Sequence, residues 1–273
     1  MKNESKVPVI GIVGKFCNGE PIWKTNTISQ YLVDIITENG GIPIGIPLHR
    51  NTYCYDISSD EISTNIDIEE VRRINRLLDR VDGVILQGGL ISSYEEVYIA
   101  TRCIECDIPL LGICAGFNNI ARAMHIPVYN AYNNMTYSYP YYHDKEDMDY
   151  RHKIEIVKNT ILYNIVQCKS MSVNSIHKMC MSYSNALLSP CIRISSTCRY
   201  GITTVESFEL RKNRFAVAVK WHPELMKSNP YSKKLFKRFI EECKDDEGGF
   251  ISNGSMHRVQ KVHYEKDEMY PYQ

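Results

Sequence analysis

Hydrophobic and polar positions along the chain switch between two periods. Val9-Ile10-Gly11-Ile12-Val13 is a continuous apolar run, the pattern of a strand covered on both faces in a parallel sheet. From Ile28 the period becomes helical: Ile28, Tyr31, Leu32, Ile35 and Ile36 share a face, Asn26-Thr27 offers a cap and Asn39-Gly40-Gly41 a stop. Ile42 to Pro47 gives a second strand, whose prolines each remove a ladder donor and place it near a strand end or sheet edge. The polar stretch 48–66 reads as a surface loop. Asp67 and Glu70 then form a capping box for a helix with Val71, Ile74 and Leu78 inward. Val81 to Gln87 is a third buried strand, running into Gly88-Gly89; Tyr94 to Cys106 is helical, and Ile108 to Leu111 leads into Gly112-Ile113-Cys114-Ala115-Gly116. A further helical stretch runs from Phe117 to Met124.

This alternation of strand and helix implies a mostly parallel α/β sheet with helices on both faces and ligands at the carboxyl ends of the strands, where Gly88-Gly89 and Cys114 lie. The second half reads differently. Seven tyrosines lie between Tyr129 and Tyr150 among Asn, Asp and Pro; we expect a loop covering part of the sheet, with a pocket lid as the sharper alternative. Lys153 to Val157 and Ser170 to Asn174 alternate like strands around a short helix from Thr160 to Val166. Cys191 to Cys198, Thr203 to Leu210 and Phe215 to Lys220 complete a small antiparallel extension. Pro230 opens a last amphipathic helix carrying Leu235, Phe236, Phe239, Ile240 and Cys243, ended by Gly248-Gly249. We expect one domain over 1–248 and a polar, loosely attached tail over 249–273.

Composition narrows the functions without choosing one. With 32 basic and 32 acidic residues among 273, there is no electrostatic case for nucleic acid or an anionic membrane, which leaves small molecules or neutral partners. The apolar run from Val7 to Val13 is too short for a signal peptide or a membrane span, and no later stretch reaches membrane length. Ten cysteines without a secretion signal read as free thiols in a reducing cytoplasm. Oligomeric state is unreadable, and a homodimer stays open.

The candidate chemistry centres on Cys114. A reactive side chain on a sharp strand-to-helix turn needs residues without side chains two positions before and after it, which Gly112 and Gly116 supply. The turn presents the backbone N–H of Ala115 to whatever the sulfur attacks, and the helix N-terminus favours a thiolate. A cysteine nucleophile also needs a base and a group to orient it. His222 and Glu224 are candidates: two residues apart in extended chain, their side chains leave on one side. Cys103-Ile104-Glu105-Cys106 has no second pair at metal-site spacing and fits a helix core face, so neither metal nor cofactor is expected. His125, His143, His152 and His257 read as surface or capping residues.

Gly88-Gly89, Gly112-Ile113-Cys114-Ala115-Gly116 and Trp221-His222-Pro223-Glu224, in this order, resemble the class I glutamine amidotransferase superfamily. Val173-Asn174-Ser175-Ile176-His177, His152 to Ile156 and Gly40-Gly41-Ile42-Pro43 narrow the resemblance to its gamma-glutamyl-gamma-aminobutyrate hydrolase, or peptidase C26, branch, over roughly 8–243. The resemblance implies a flavodoxin-like fold, a Cys114-His222-Glu224 triad and hydrolysis of a small gamma-glutamyl amide through a thioester. It also implies an oxyanion hole from Gly89 and Ala115, and a substrate pocket touched by Gly88, Asn118, Asn174, Ser175 and His177. For His177 a plain structural hydrogen bond is the equal alternative. Asn118, Lys178 and Leu90-Ile91 stand where the family usually has Gln, His and x-Asp, so the chemistry is expected to be kept and the substrate changed. Two rivals remain: a glutaminase subunit feeding ammonia to a separate synthase, and a non-enzymatic cysteine sensor on the same fold.

Overall fold

The computed structural model describes residues 6–17, 25–49, 66–89, 92–130, 151–177, 179–200 and 202–244. In chain order the first half carries β1 (Val9–Val13), β2 (Lys15–Cys17), β3 (Thr25–Thr27), α1 (Gln30–Glu38), β4 (Ile42–Ile46), α2 (Ile68–Leu78), β5 (Gly83–Leu86), α3 (Tyr94–Glu105), β6 (Leu110–Ile113) and α4 (Ala115–Ala123). The second half carries β7 (Tyr129–Asn130), β8 (Arg151–Ile156), α5 (Ile161–Val166), β9 (Ser170–Asn174), β10 (Met179–Cys180), α6 (Tyr183–Leu188), β11 (Ile192–Tyr200), β12 (Ile202–Leu210) and β13 (Ala216–Val219). A 3-10 turn at Pro223–Leu225 and α7 (Pro230–Lys244) follow. The expected loop tip at 50–65, Leu90-Ile91, the tyrosine-rich stretch 131–150, Lys178, His143, His257, the Gly248-Gly249 stop and the tail all lie outside the described residues.

Nine strands make one sheet in the order β4-β1-β5-β6-β13-β12-β11-β8-β9. The strands from β4 to β13 pair in parallel, and their chain order across the sheet, second, first, third, fourth, fifth, is the flavodoxin-like winding. From β13 through β9 every pairing is antiparallel, which is the expected extension. The continuous apolar runs are explained by cover on both faces. On one, Ile10, Ile12, Ile85, Leu111, Val217 and Val219 pack with α1, α5 and α7; on the other, Val84, Leu86, Leu110, Ala216 and Ala218 pack with α2, α3, α4 and α6. Fully buried anchors such as Phe236 and Phe239 on α7 contribute roughly 1.5–3 kcal/mol each by leaving water. The proline-bearing strand β4 does lie at a sheet edge.

Two local expectations are corrected. The first helix begins at Gln30 behind Ser29, not at Ile28 behind Asn26-Thr27. Thr25–Thr27 instead pairs antiparallel with Lys15–Cys17, and the Asn26 amide brackets the Leu48 backbone, accepting from its N at 2.9 Å and donating to its O at 3.0 Å. Tertiary hydrogen bonds thus claim a residue that local pattern assigned to a cap. In α2, Val71 is only partly buried, while Glu70 is buried by pairing with Arg73 and with His49. Tyr94–Glu105 carries a full capping box from Ser93 and Glu96 that the periodicity alone did not reveal.

The topology has one consequence for chemistry. Because β13 runs parallel to β5 and β6, the segments leaving all three emerge at one sheet edge. The register Val219↔Ile113 sets the residues after β13 beside those after β6.

Candidate active site

Cys114 stands between β6 and α4 at φ 51° and ψ −97°, a conformation seldom adopted by residues with side chains and costing on the order of 1–3 kcal/mol. Its backbone N–H donates to Val219 O at 2.9 Å, which pins the turn to the neighbouring strand. Both flanking glycines are required by space. A Cβ on Gly112 would lie 2.6 Å from Ile120 Cδ1 and 2.8 Å from Gly116 O, and one on Gly116 would overlap the Leu86 carbonyl. Strand and helix therefore meet in the crowded elbow the sequence pattern called for, with Ala115 as the first helical residue.

His222 reaches the elbow from the end of β13, close enough to the Cys114 sulfur for each to shift the other's titration. Its Nδ1 donates to Glu224 Oε1 at 2.7 Å, leaving Nε2 as the nitrogen available to the sulfur. The pair is not formed by extended chain as expected: His222 has φ −105° and ψ 85°, and Pro223–Leu225 turns as a 3-10 helix. Pro223 explains this, since its fixed φ suits the first position of a helical turn. Asn174, expected in the pocket, has its amide occupied elsewhere. It donates to His222 O at 2.9 Å and accepts from His222 N at 2.8 Å, a two-point clamp on the histidine backbone. Gly88 makes room for the ring: a Cβ there would stand 3.1 Å from Nδ1, 3.3 Å from Nε2 and closer still to Cε1.

Burial by itself would push the Cys114 thiol up; the charge of His222, its hydrogen bond and the charge of Lys220 outweigh that and hold the thiol below its ordinary value. Burial likewise opposes protonation of His222, yet the sulfur and Glu224 raise it well above an ordinary imidazole. The buried thiols of Cys103, Cys198 and Cys243 go the other way, pushed up by burial, and Cys180 is raised to about 11. Cys114 thus differs from its buried counterparts in that the cations beside it outweigh its burial. Cys114 is 8% exposed and the His222 side chain 14%, so the pair can be approached from outside.

The remaining expected residues fall into three places. Gly89 lies against the stem of Lys15, whose ammonium pairs with Glu96; Asn119 Nδ2 donates to the same carboxylate at 3.0 Å. Ser175 and His177 are buried and turned toward each other, Oγ to Nε2 at 3.4 Å. His177 Nε2 lies 3.6 Å from Glu206 Oε2, and His152 Nε2 lies 3.5 Å from the same oxygen. What touches the sulfur from this segment is the Ile176 carbonyl, at 3.9 Å. His152 is therefore no surface residue but a buried partner of Glu206. Asn118 is buried too, its Oδ1 accepting from Lys220 Nζ at 2.7 Å. Sequence reading passed over Lys220, although a lysine between an apolar strand and Trp221 was the available signal. Of the C-x-x-C pair, Cys103 is in the core and Cys106 is half-buried at the end of α3. Among the described residues no cluster could hold a metal ion, and no helix is long and apolar enough to cross a membrane.

A flavodoxin-like sheet carrying a cysteine elbow, with a carboxylate-held histidine arriving from the last parallel strand, is the architecture of the class I glutamine amidotransferases. The Peptidase C26 family model matches residues 93–224, from the cap of α3 to Glu224. The resemblance to that superfamily and branch thus holds, and it supports a cysteine-dependent hydrolase of amide bonds. The chain is 24% identical to the gamma-glutamyl-gamma-aminobutyrate hydrolase PuuD of Escherichia coli, over 89% of this chain and 96% of that one. It is 26% identical to the glutamine amidotransferase-like protein RP404 of Rickettsia prowazekii, over 77% and 87%. Among solved structures, the glutaminase domain of Trypanosoma brucei CTPS superposes with a TM-score of 0.54 at 16% identity, over 87% of this chain and 94% of that one, a likeness of fold.

Proposed function

We propose that the protein hydrolyses a small gamma-glutamyl amide through a gamma-glutamyl thioester on Cys114. The observation that carries this reading is the His222 ring, held by Glu224 Oε1 2.7 Å from Nδ1, bearing electrostatically on a Cys114 sulfur set on a strained elbow. The thiolate attacks the gamma-carbonyl carbon. The carbonyl π electrons move to oxygen, which the N–H groups of Ala115 and Gly89 stabilise; losing one such donor typically costs about 10²–10³ in rate. His222 gives its proton to the departing amine as the C–N bond breaks, leaving the thioester. It then takes a proton from water, whose oxygen attacks the thioester carbon. Glutamate leaves, the sulfur departs as thiolate, and the proton stays on His222. Glu224 holds the imidazole in one tautomer throughout.

Asn118 stands where the family usually has Gln, and its side chain is committed to Lys220. This supports a leaving amine other than gamma-aminobutyrate. A panel of gamma-glutamyl amides, read by mass spectrometry for free glutamate and a glutamyl adduct on Cys114, tests both statements. Turnover lost in Cys114→Ala is expected, with another amine preferred over gamma-aminobutyrate. Turnover unchanged in that variant refutes the mechanism. Ammonia release from glutamine only when a second protein is added replaces it with a glutaminase subunit. Alkylation of Cys114 with no turnover of any amide replaces it with a sensor.

A further inference from the structure

Lys220 is 1% exposed and lies at the first turn of α4. Its Nζ donates to Asn118 Oδ1 at 2.7 Å and sits 5.0 Å from the centre of the Phe117 ring, while Asn118 N donates to Cys114 O at 3.3 Å. A buried ammonium is costly in itself. Here it also faces the positive end of a helix dipole, which repels it. An anion at the same place offsets both costs, and Cys114 is the N-cap residue of that helix.

We propose that Lys220 is a positioning residue: its ammonium, anchored by Asn118, is held where it favours the ionised form of the Cys114 sulfur beside His222. The groups around the two can be named. Cys114 is faced by His222 and Glu224 from the segment after β13 and by Lys220 itself. Lys220 is faced by Cys114, by Glu206 on β12, by Cys180 on β10 and by Arg122 on α4. Of the anionic groups, the Glu206 carboxylate is also approached by His152 and His177, and the Cys180 thiol is raised to about 11 and so is neutral. Arg122 repels the ammonium. The thiolate is thus the counter-charge not shared with the histidine pair. Two cations, Lys220 and His222, then bear on one sulfur.

The proposal rests on Cys114 being the nucleophile but not on which amide it attacks, so its test uses no substrate. The rate of alkylation by iodoacetamide, localised to Cys114 by mass spectrometry, is followed against pH in the full-length wild type, in Lys220→Gln and in Asn118→Asp. Lys220→Gln removes the charge; Asn118→Asp keeps the shape and neutralises the charge locally. In both, the inflection moves to higher pH and the rate below it falls on the order of tenfold, the size expected from losing one nearby opposite charge. At high pH the three proteins converge. If Lys220→Gln does not fold, Asn118→Asp alone decides. An inflection that stays in place in a folded variant, or a wild-type thiol that shows none, overturns the proposal. Neither outcome depends on whether gamma-glutamyl amides are hydrolysed.

Discussion

Replacing Gly88 by alanine inserts one methyl group into the face of His222. The new Cβ would stand 3.1 Å from Nδ1 and 3.3 Å from Nε2, nearer still to Cε1. Carbon atoms in contact settle at about 3.5–4.0 Å, so the ring has to retreat by roughly 1 Å. Two restraints oppose that movement: the 2.7 Å bond to Glu224 and the Asn174 clamp on the His222 backbone. The cost therefore divides between the fold, at about 1–3 kcal/mol for an overpacked site, and the chemistry. A displacement of about 1 Å in a catalytic group lowers rates about 10²-fold, equivalent to about 2.7 kcal/mol of transition-state stabilisation. Gly88→Ala is accordingly expected to melt cooperatively at a somewhat lower temperature and to lose about 10²-fold in kcat/KM on the best gamma-glutamyl amide. Alkylation of Cys114 should slow in parallel, because the imidazolium that stabilises the thiolate has moved. A folded Gly88→Ala protein with wild-type turnover and wild-type alkylation would show that His222 does not work from the position described.

Glu224→Gln removes the anion beside Nδ1 and should lower kcat on the order of 10²–10⁴-fold with little effect on melting, measured by steady-state kinetics beside calorimetry. Asn174→Ala deletes two hydrogen bonds to the His222 backbone, each worth about 1 kcal/mol, and should reduce both melting temperature and kcat; a drop in melting alone would make it a purely structural residue. The pH dependence follows from the two shifts. As pH falls through the lowered Cys114 value the thiolate is protonated, and as pH rises through the raised His222 value the acid for the departing amine is lost, so kcat/KM should show two limbs with a plateau between them. A single limb at about 6.5, the value of an unperturbed histidine, would contradict that pairing.

The parallel half of the fold was legible because double-sided burial leaves an unmistakable trace: β1, β5 and β13 are apolar at nearly every position. The elbow was legible because the glycines at 112 and 116 answer to steric necessity, as the Ile120 and Leu86 contacts show. What escaped was set by partners distant in the chain. His152 follows the same inward parity as Ile154 and Ile156 on β8, so its burial was readable, but the Glu206 that accommodates it was not. The amides of Asn174 and Asn118, expected in the pocket, are taken by the His222 backbone and the Lys220 ammonium, contacts that no local pattern encodes. The 3-10 turn at Glu224 was obscured by the alternation argument, which assumes extended chain.

The way β13 slots between β6 and β12 bears on how the protein is made. During synthesis the thiol at 114 emerges long before the histidine and lysine that lower its titration, since both follow the last strand of the sheet. A nascent or truncated chain holds an ordinary cysteine, and nucleophilic power arrives only when a late, distant pairing closes. The polypeptide thereby carries an ordinary thiol while it is still unfolded.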